Sequence, residues 1–182
     1  KLVHNLLEIG IDALVIDLRG NSGGLLTEAA SLTGLFIDDG PIVQWKDTRN
    51  KIEIEEDPIP GSIYEGPLAV VVDRYSASAS EIFAGAIQDY SRGIVIGQQT
   101  FGKGTIQSLY PLDRYSRFQS KKGFGQLTLT IGKFYRVSGQ GTQNKGVVPD
   151  IELPSLIDQE VIGEITKKNK LPWDQIMSLE YA

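Results

Sequence analysis

Three serines, Ser76, Ser78 and Ser80, crowd one short run, and a lysine set between two glycines, Lys103, follows later in the chain. A serine hydroxyl attacks a carbonyl only when a neighbouring base takes its proton. The chain has no cysteine and one histidine, His4. Thiol nucleophiles, thiolate metal sites and disulfides are therefore impossible, as are His-rich zinc sites and the HExxH motif. A Ser-His-Asp triad would have to use His4. Leu2, Leu6 and Ile9 around it suggest an amphipathic helix with His4 on its surface. For covalent catalysis, Ser or Thr paired with Lys remains. An exposed lysine titrates near about 10.4 and is no base at neutral pH, but burial lowers that by several units. Phe101 and the flanking strands are candidates to bury Lys103, and Gly102 and Gly104 let the backbone come close on both sides. A neutral Lys103 would take a serine proton and return it to a leaving amine. The competing reading is an exposed loop lysine, and spacing alone does not separate the two.

The elements around these residues are legible from periodicity. Residues 67–72 form an apolar run that reads as a buried strand. Ile82, Phe83, Ala86, Ile87 and Tyr90 then recur at helical spacing on one face. The serines thus stand at a strand-to-helix junction, where a hydroxyl can project and backbone N–H groups point at what it attacks. Ser78-Ala-Ser-Glu81 also fits a capping box, which would make Ser78 a helix cap. Residues 13–18 read as another buried strand and 25–37 as a helix. Between them lies the tight turn Arg19-Gly-Asn-Ser-Gly-Gly24, which is either an anion site or only a sharp reversal. Lys103 follows the strand at 93–97. Gly97-Gln-Gln-Thr-Phe-Gly-Lys103 matches the start of a P-loop, but Gly104 stands where Ser or Thr must hold Mg²⁺. The β-branched stretch 105–111 reads as a strand, where a P-loop needs a helix. No nucleotide site is expected.

The remaining chain is scaffold. Residues 42–45 and 52–54 read as a hairpin around 46–51. Residues 126–131 and 133–137 read as a hairpin or one bent strand about Gly132. Arg114, Arg117, Lys121 and Lys122 make 113–125 a basic loop, and 155–182 reads as helical or loosely packed. With 182 residues, a net charge of −5 and 41% apolar content, the chain suits an ordinary globular domain and not a nucleic-acid binder. No run approaches the roughly 18 apolar residues of a membrane span. The chain starts with Lys1 and is expected to be a piece of a longer protein, so a missing leader carries no weight.

Five motifs in order make the chain resemble the C-terminal processing peptidases, most closely the tail-specific protease branch. They are Val15-Ile-Asp-Leu-Arg-Gly-Asn-Ser-Gly-Gly24, Asp73-Arg-Tyr-Ser-Ala-Ser-Ala-Ser-Glu-Ile82, Gly97-Gln-Gln-Thr-Phe-Gly-Lys-Gly-Thr105, Lys133-Phe-Tyr-Arg-Val-Ser-Gly139 and Lys145-Gly-Val-Val-Pro-Asp150. Leu171-Pro-Trp-Asp174 looks like the start of that branch's C-terminal extension.

The resemblance implies an α/β core of the ClpP/crotonase-like kind, built of stacked β-β-α units. It implies a serine endopeptidase with Ser78 as nucleophile and Lys103 as general base and then acid. Gln107 would orient the amine, sharing its face if Lys103 lies in a strand. Ala79 and Gly24 would supply the oxyanion N–H groups, with Gly23 the near alternative to Gly24. Substrates would be proteins or peptides with apolar C-terminal tails, with no metal, cofactor, nucleotide or nucleic acid. The parent would be a periplasmic or cell-envelope bacterial enzyme, meeting a membrane only through segments outside this chain. Residues 1–154 would be the catalytic core, truncated at its start and without the usual PDZ-type domain. Residues 155–182 would begin the extension. The competing expectation is a catalytically silent, crotonase-like interaction module.

Overall fold

The computed structural model describes residues 1–118, 122–155, 157–158 and 160–181. Lys121, one of the basic loop residues, lies outside that set. One sheet is wholly parallel, in the order β1 (Leu14–Asp17), β4 (Leu68–Val72), β5 (Ile94–Gly97) and β8 (Ile151–Glu152). The other is antiparallel, in the order β3 (Ile52–Glu56), β2 (Pro41–Asp47), β7 (Gln126–Tyr135) and β6 (Thr105–Pro111). The helices are α1 (Leu2–Ile9), α2 (Leu26–Thr33) and α3 (Ala79–Asp89). His4 is exposed on α1.

The periodicity of α3 predicts one buried face, but every residue from Ala79 to Ile87 is buried. Phe83, Ala84 and Ile87 pack with Leu68, Val70, Val72 and Val95 of the parallel sheet. Ala79, Ile82 and Ala86 pack with α2 and with Ile42, Val43 and Phe134 of the antiparallel sheet. Small residues on the less apolar face let a second layer close over it. Each buried large side chain here contributes about 1.5–3 kcal/mol. The helix is therefore a shared core element, and its N-terminus is held from several sides.

Three other expectations are refined. The helix expected over 25–37 ends at Thr33, because the Phe36 N–H turns back to the Thr33 carbonyl (2.9 Å). That turn sends Phe36 and Ile37 into the core. Residues 126–135 form one bent strand, with a register irregularity opposite β6 between Ile106 and Gln107. Beyond β8 the described residues hold a single turn of 3-10 helix, Glu164–Thr166, and an isolated bridge from Gln175 to Gln140. The later segment is extended and strapped to the antiparallel sheet. Lys133 (2.9 Å), Lys46 (3.3 Å) and the Tyr135 hydroxyl (3.1 Å) all donate to the Asp174 carboxylate, and the Trp173 indole N–H donates to the Gly141 carbonyl (2.7 Å). Burial raises the Asp174 carboxyl, but these three donors outweigh it and the net shift is downward.

Candidate active site

Two turns and one loop converge at the N-terminus of α3, and hydrogen bonds from backbone N–H groups join them. The Ala77 N–H donates to the Asn21 carbonyl (3.0 Å), and the Gly20 N–H to Asp73 Oδ1 (3.0 Å). The Phe101 N–H donates to the Ser76 carbonyl (2.9 Å). The β1–α2 turn, the serine turn and the Lys103 loop thus form one assembly.

Within it the three serines differ. Ser76 Oγ donates to the Leu18 carbonyl (2.7 Å), and Ser80 Oγ to the Asn21 carbonyl (3.0 Å). Both hydroxyls are used in stitching the turns. Ser78 instead lines a cleft of about 320 Å³ together with Gly24, Ala79, Lys103 and Gln107. The structure thus brings all five candidate residues to one cavity. Ser78 has φ 57° and ψ −115°, a conformation that costs a non-glycine residue about 1–3 kcal/mol and persists only when its surroundings enforce it. The enforcement is visible: the Ser78 N–H donates to Glu81 Oε2 (2.7 Å), and the Glu81 N–H to the Ser78 carbonyl (2.8 Å). Such a bend aims a side chain outward from the junction, as a nucleophile elbow does.

Lys103 is half-buried and precedes β6 instead of lying in it, so its nearness to Gln107 comes from the cleft and not from strand alternation. Among the described residues its ammonium has no ion-pair or hydrogen-bond partner, and no hydrogen bond joins it to Ser78 or Gln107. The strand beginning at Thr105 removes the helix that a P-loop requires.

Gly23 and Gly24 now separate. The Gly23 N–H is bound to Asn21 Oδ1 (3.0 Å). Neither the Gly24 N–H nor the Ala79 N–H has an acceptor among the described residues, and both residues border the cleft. Gly23 has φ +103°, and a Cβ on it would lie 2.7 Å from the Ala77 carbonyl oxygen and 2.8 Å from Ser78 Cβ. A Cβ on Gly24 would meet nothing within 4 Å. Gly23→Ala is therefore expected to lower stability by about 2 kcal/mol, combining left-handed strain with backbone contact. Gly24→Ala should stay within about 0.5 kcal/mol of the parent. Paired urea melts of the two variants measure this contrast.

Glu81 is the residue that sequence reading undervalued. Its carboxylate is fully buried and accepts four hydrogen bonds. Thr100 Oγ1 (2.5 Å) and the Gly102 N–H (2.7 Å) donate to Oε1, and the Ser78 N–H (2.7 Å) and Lys103 N–H (2.9 Å) donate to Oε2. Burial pushes this carboxyl up to about 7, against the downward pull of all four donors. One side chain thus fixes the backbones that carry both Ser78 and Lys103. The capping-box pattern was its only signal, and that pattern shows only the local half of its bonding.

A model of peptidase family S41 matches residues 1–153. A tail-specific protease of Haemophilus influenzae is 52% identical over all 182 residues, which span 26% of that relative. A carboxy-terminal-processing protease of Bartonella bacilliformis is 38% identical over 150 residues, covering 82% of this chain and 32% of the relative. The solved structure of a photosystem II D1 C-terminal processing protease superposes with a TM-score of 0.71 at 31% identity, over 90% of this chain and 40% of that one. The mixed parallel and antiparallel α/β core is accordingly ClpP/crotonase-like.

Proposed function

The chain belongs to peptidase family S41, and from that premise we propose that it carries the catalytic machinery of a serine endopeptidase using a Ser78–Lys103 dyad. The observation that carries this reading is the single cleft bordered by Ser78, Lys103, Gln107, Gly24 and Ala79. Ser78 Oγ attacks the scissile carbonyl while the Lys103 amine serves as the base that takes its proton. The tetrahedral oxyanion lies between the Gly24 and Ala79 N–H groups, each about 3–4 kcal/mol of transition-state stabilisation by analogy with other acyl-transfer sites. Lys103 then gives the proton to the leaving amine, and water releases the acyl group by the same steps in reverse. Gln107, which borders the same cleft, is assigned the role of accepting from the amine and orienting it.

The relatives' printed names concern processing at protein C-termini. By extension, we assign this protein to polypeptide substrates with apolar C-terminal tails and to the bacterial periplasm or cell envelope. Among the described residues no helix is long and apolar enough to cross a membrane. Residues 1–154 serve as the catalytic core, and 155–182 open an extension whose 171–179 stretch is already fastened to it.

A fluorophosphonate probe tests the chemistry directly. The full-length protein should be labelled at Ser78, and both Ser78→Ala and Lys103→Ala should lose the label. A correctly folded wild type that resists the probe would instead favour a silent interaction module.

A further inference from the structure

Three consecutive backbone N–H groups around Lys103 end on buried side chains. Those of Gly102 and Lys103 reach Glu81, and that of Gly104 donates to Gln143 Oε1 (2.9 Å). Gln143 is fully buried and takes no part in the dyad chemistry. Beside it, the Asn144 N–H donates to the Gly102 carbonyl (2.8 Å). A Cβ on Gly104 would lie 2.5 Å from the Gln143 nitrogen, and one on Gly102 would lie 2.9 Å from the Asn144 carbonyl carbon. Glycine on both sides of Lys103 is what lets residues 143 and 144 pack this close. Those two residues are tied in turn to chain beyond residue 153, where the family match ends. The Leu171 carbonyl accepts from Asn144 Nδ2 (2.8 Å) and from Gln143 Nε2 (3.4 Å), and Gln143 Nε2 also lies 3.4 Å from Glu164 Oε1. The Glu164 N–H donates to the Phe101 carbonyl (2.9 Å).

We propose that Gln143 is a positioning residue for Lys103, and that the 164–171 segment, through Gln143 and Asn144, completes the support of the base. The inference rests on the peptidase reading above. A lysine side chain is long and flexible, so its amine is placed only as well as the backbone that carries it. Glu81 holds that backbone from α3, and Gln143 holds it from the opposite end of the stretch. The orientation of the Gln143 amide is forced, since its N–H₂ turned to Gly104 would set donor against donor. Its nitrogen is then aimed at the Leu171 carbonyl and the Glu164 carboxylate. Without the Gln143 oxygen, the buried Gly104 N–H lacks an acceptor, and relief comes from a shift of the residue next to Lys103. The core at 1–154 thus draws on the extension to place its base.

The test uses the full-length protein and one peptide, with kcat and KM measured separately. Gln143→Met keeps much of the volume and removes both polar ends. It should lower kcat about 10- to 100-fold, the scale of a misplacement of about 1 Å or less, with KM held within about 2-fold. Gln143→Glu keeps an acceptor for Gly104 but loses the donor to Leu171 while ionised. Buried beside Glu164, the new carboxyl favours its protonated form, which restores a donor. Its kcat relative to wild type should therefore recover as pH falls from about 8 to about 6, while the ratio for Gln143→Met stays flat. Thermal melts show that each variant is folded. If Gln143→Met is not, Asn144→Gly carries the same kcat-against-KM test, because glycine suits the φ of 67° and only the side-chain tie to Leu171 is removed. A loss confined to kcat, with recovery in Gln143→Glu, supports the assignment. A folded Gln143→Met with wild-type kcat, a loss that lies in KM, or a Gln143→Glu ratio that ignores pH overturns it and leaves the peptidase reading intact. Absence of cleavage by the wild type overturns both.

Discussion

Lys103→Ala lowers kcat/KM of the full-length protein by about 10³-fold or more, Ser78→Ala lowers it at least as far, and the double variant is no worse than the weaker single one. General-base assistance by a positioned side chain is worth about 10²–10⁴-fold. Here it is needed twice, for acylation and for release of the acyl group. Groups that act as one unit lose activity non-additively, since removing either member already stops the step they share. The structure supports this pairing by elimination. Ser76 and Ser80 use their hydroxyls on the Leu18 and Asn21 carbonyls, and Lys103 borders the Ser78 cleft with no other ionic partner among the described residues. Steady-state kinetics on one peptide, with the three variants side by side, is the measurement. Additive losses would mean that the two residues act in separate steps. Near-normal activity of Ser78→Ala would end the dyad assignment.

Glu81→Gln should lower activity by about 10²-fold and also remove a pH dependence of stability. The amide keeps the volume but turns an N–H₂ towards two of the four donors now bound to the carboxylate. Buried donors left without an acceptor cost about 1–3 kcal/mol each. The Ser78 and Lys103 backbones shift as they relax, and a misplacement of about 1 Å costs about 10²-fold in rate. The pH effect has a definite sign. Burial raises the folded-state Glu81 carboxyl from 4.5 to about 7. Between those values the folded chain holds a proton that the unfolded chain has released. This group's contribution is therefore fully present below about 4.5 and is lost as pH rises through about 7. The span corresponds to about 3 kcal/mol at roughly 1.4 kcal/mol per unit. Urea melts at pH 5 and pH 8 should show the wild type losing about 2.5 kcal/mol more than Glu81→Gln on the rise, since a little of the span lies below pH 5. Parallel slopes would mean that Glu81 is ionised throughout. A variant with normal fluorophosphonate labelling would mean that it does not position the dyad.

Much of the scaffold could be read along the chain because its signals are local. The continuous apolar runs of β1, β4 and β5 mark parallel strands, although the burial they imply fails at the exposed Val15 of β1 and Ile94 of β5, and β-branched residues mark β6 where a P-loop would need a helix. The site motifs were legible in the same way: a serine run at a strand-to-helix junction, a double glycine in a turn, and a lysine between glycines. The burial of α3 on every side was not legible. Its second face is covered by strands and by α2 from distant parts of the chain, and periodicity reports only the contrast between faces. The extended course of residues 171–179 was hidden for a related reason, since it is held by Lys46, Lys133, Tyr135 and Gly141 and not by neighbours in sequence.

By itself the sequence determined the available chemistry. With no cysteine and a single histidine, a covalent mechanism was limited to a hydroxyl and an amine, and the motif order limited which ones. Only the tertiary structure shows how those residues are arranged. It sets Ser76 and Ser80, whose hydroxyls bond the Leu18 and Asn21 carbonyls, apart from Ser78, which lines the cleft, and Gly23, whose N–H is bound to Asn21, apart from Gly24. It also made Glu81 the tie between two backbones and set Gln143 against the Gly104 N–H beside Lys103. Residue types fix which bonds are possible. Which donor meets which acceptor depends on contacts between residues far apart in the chain, and those exist only once the two sheets have closed around α3.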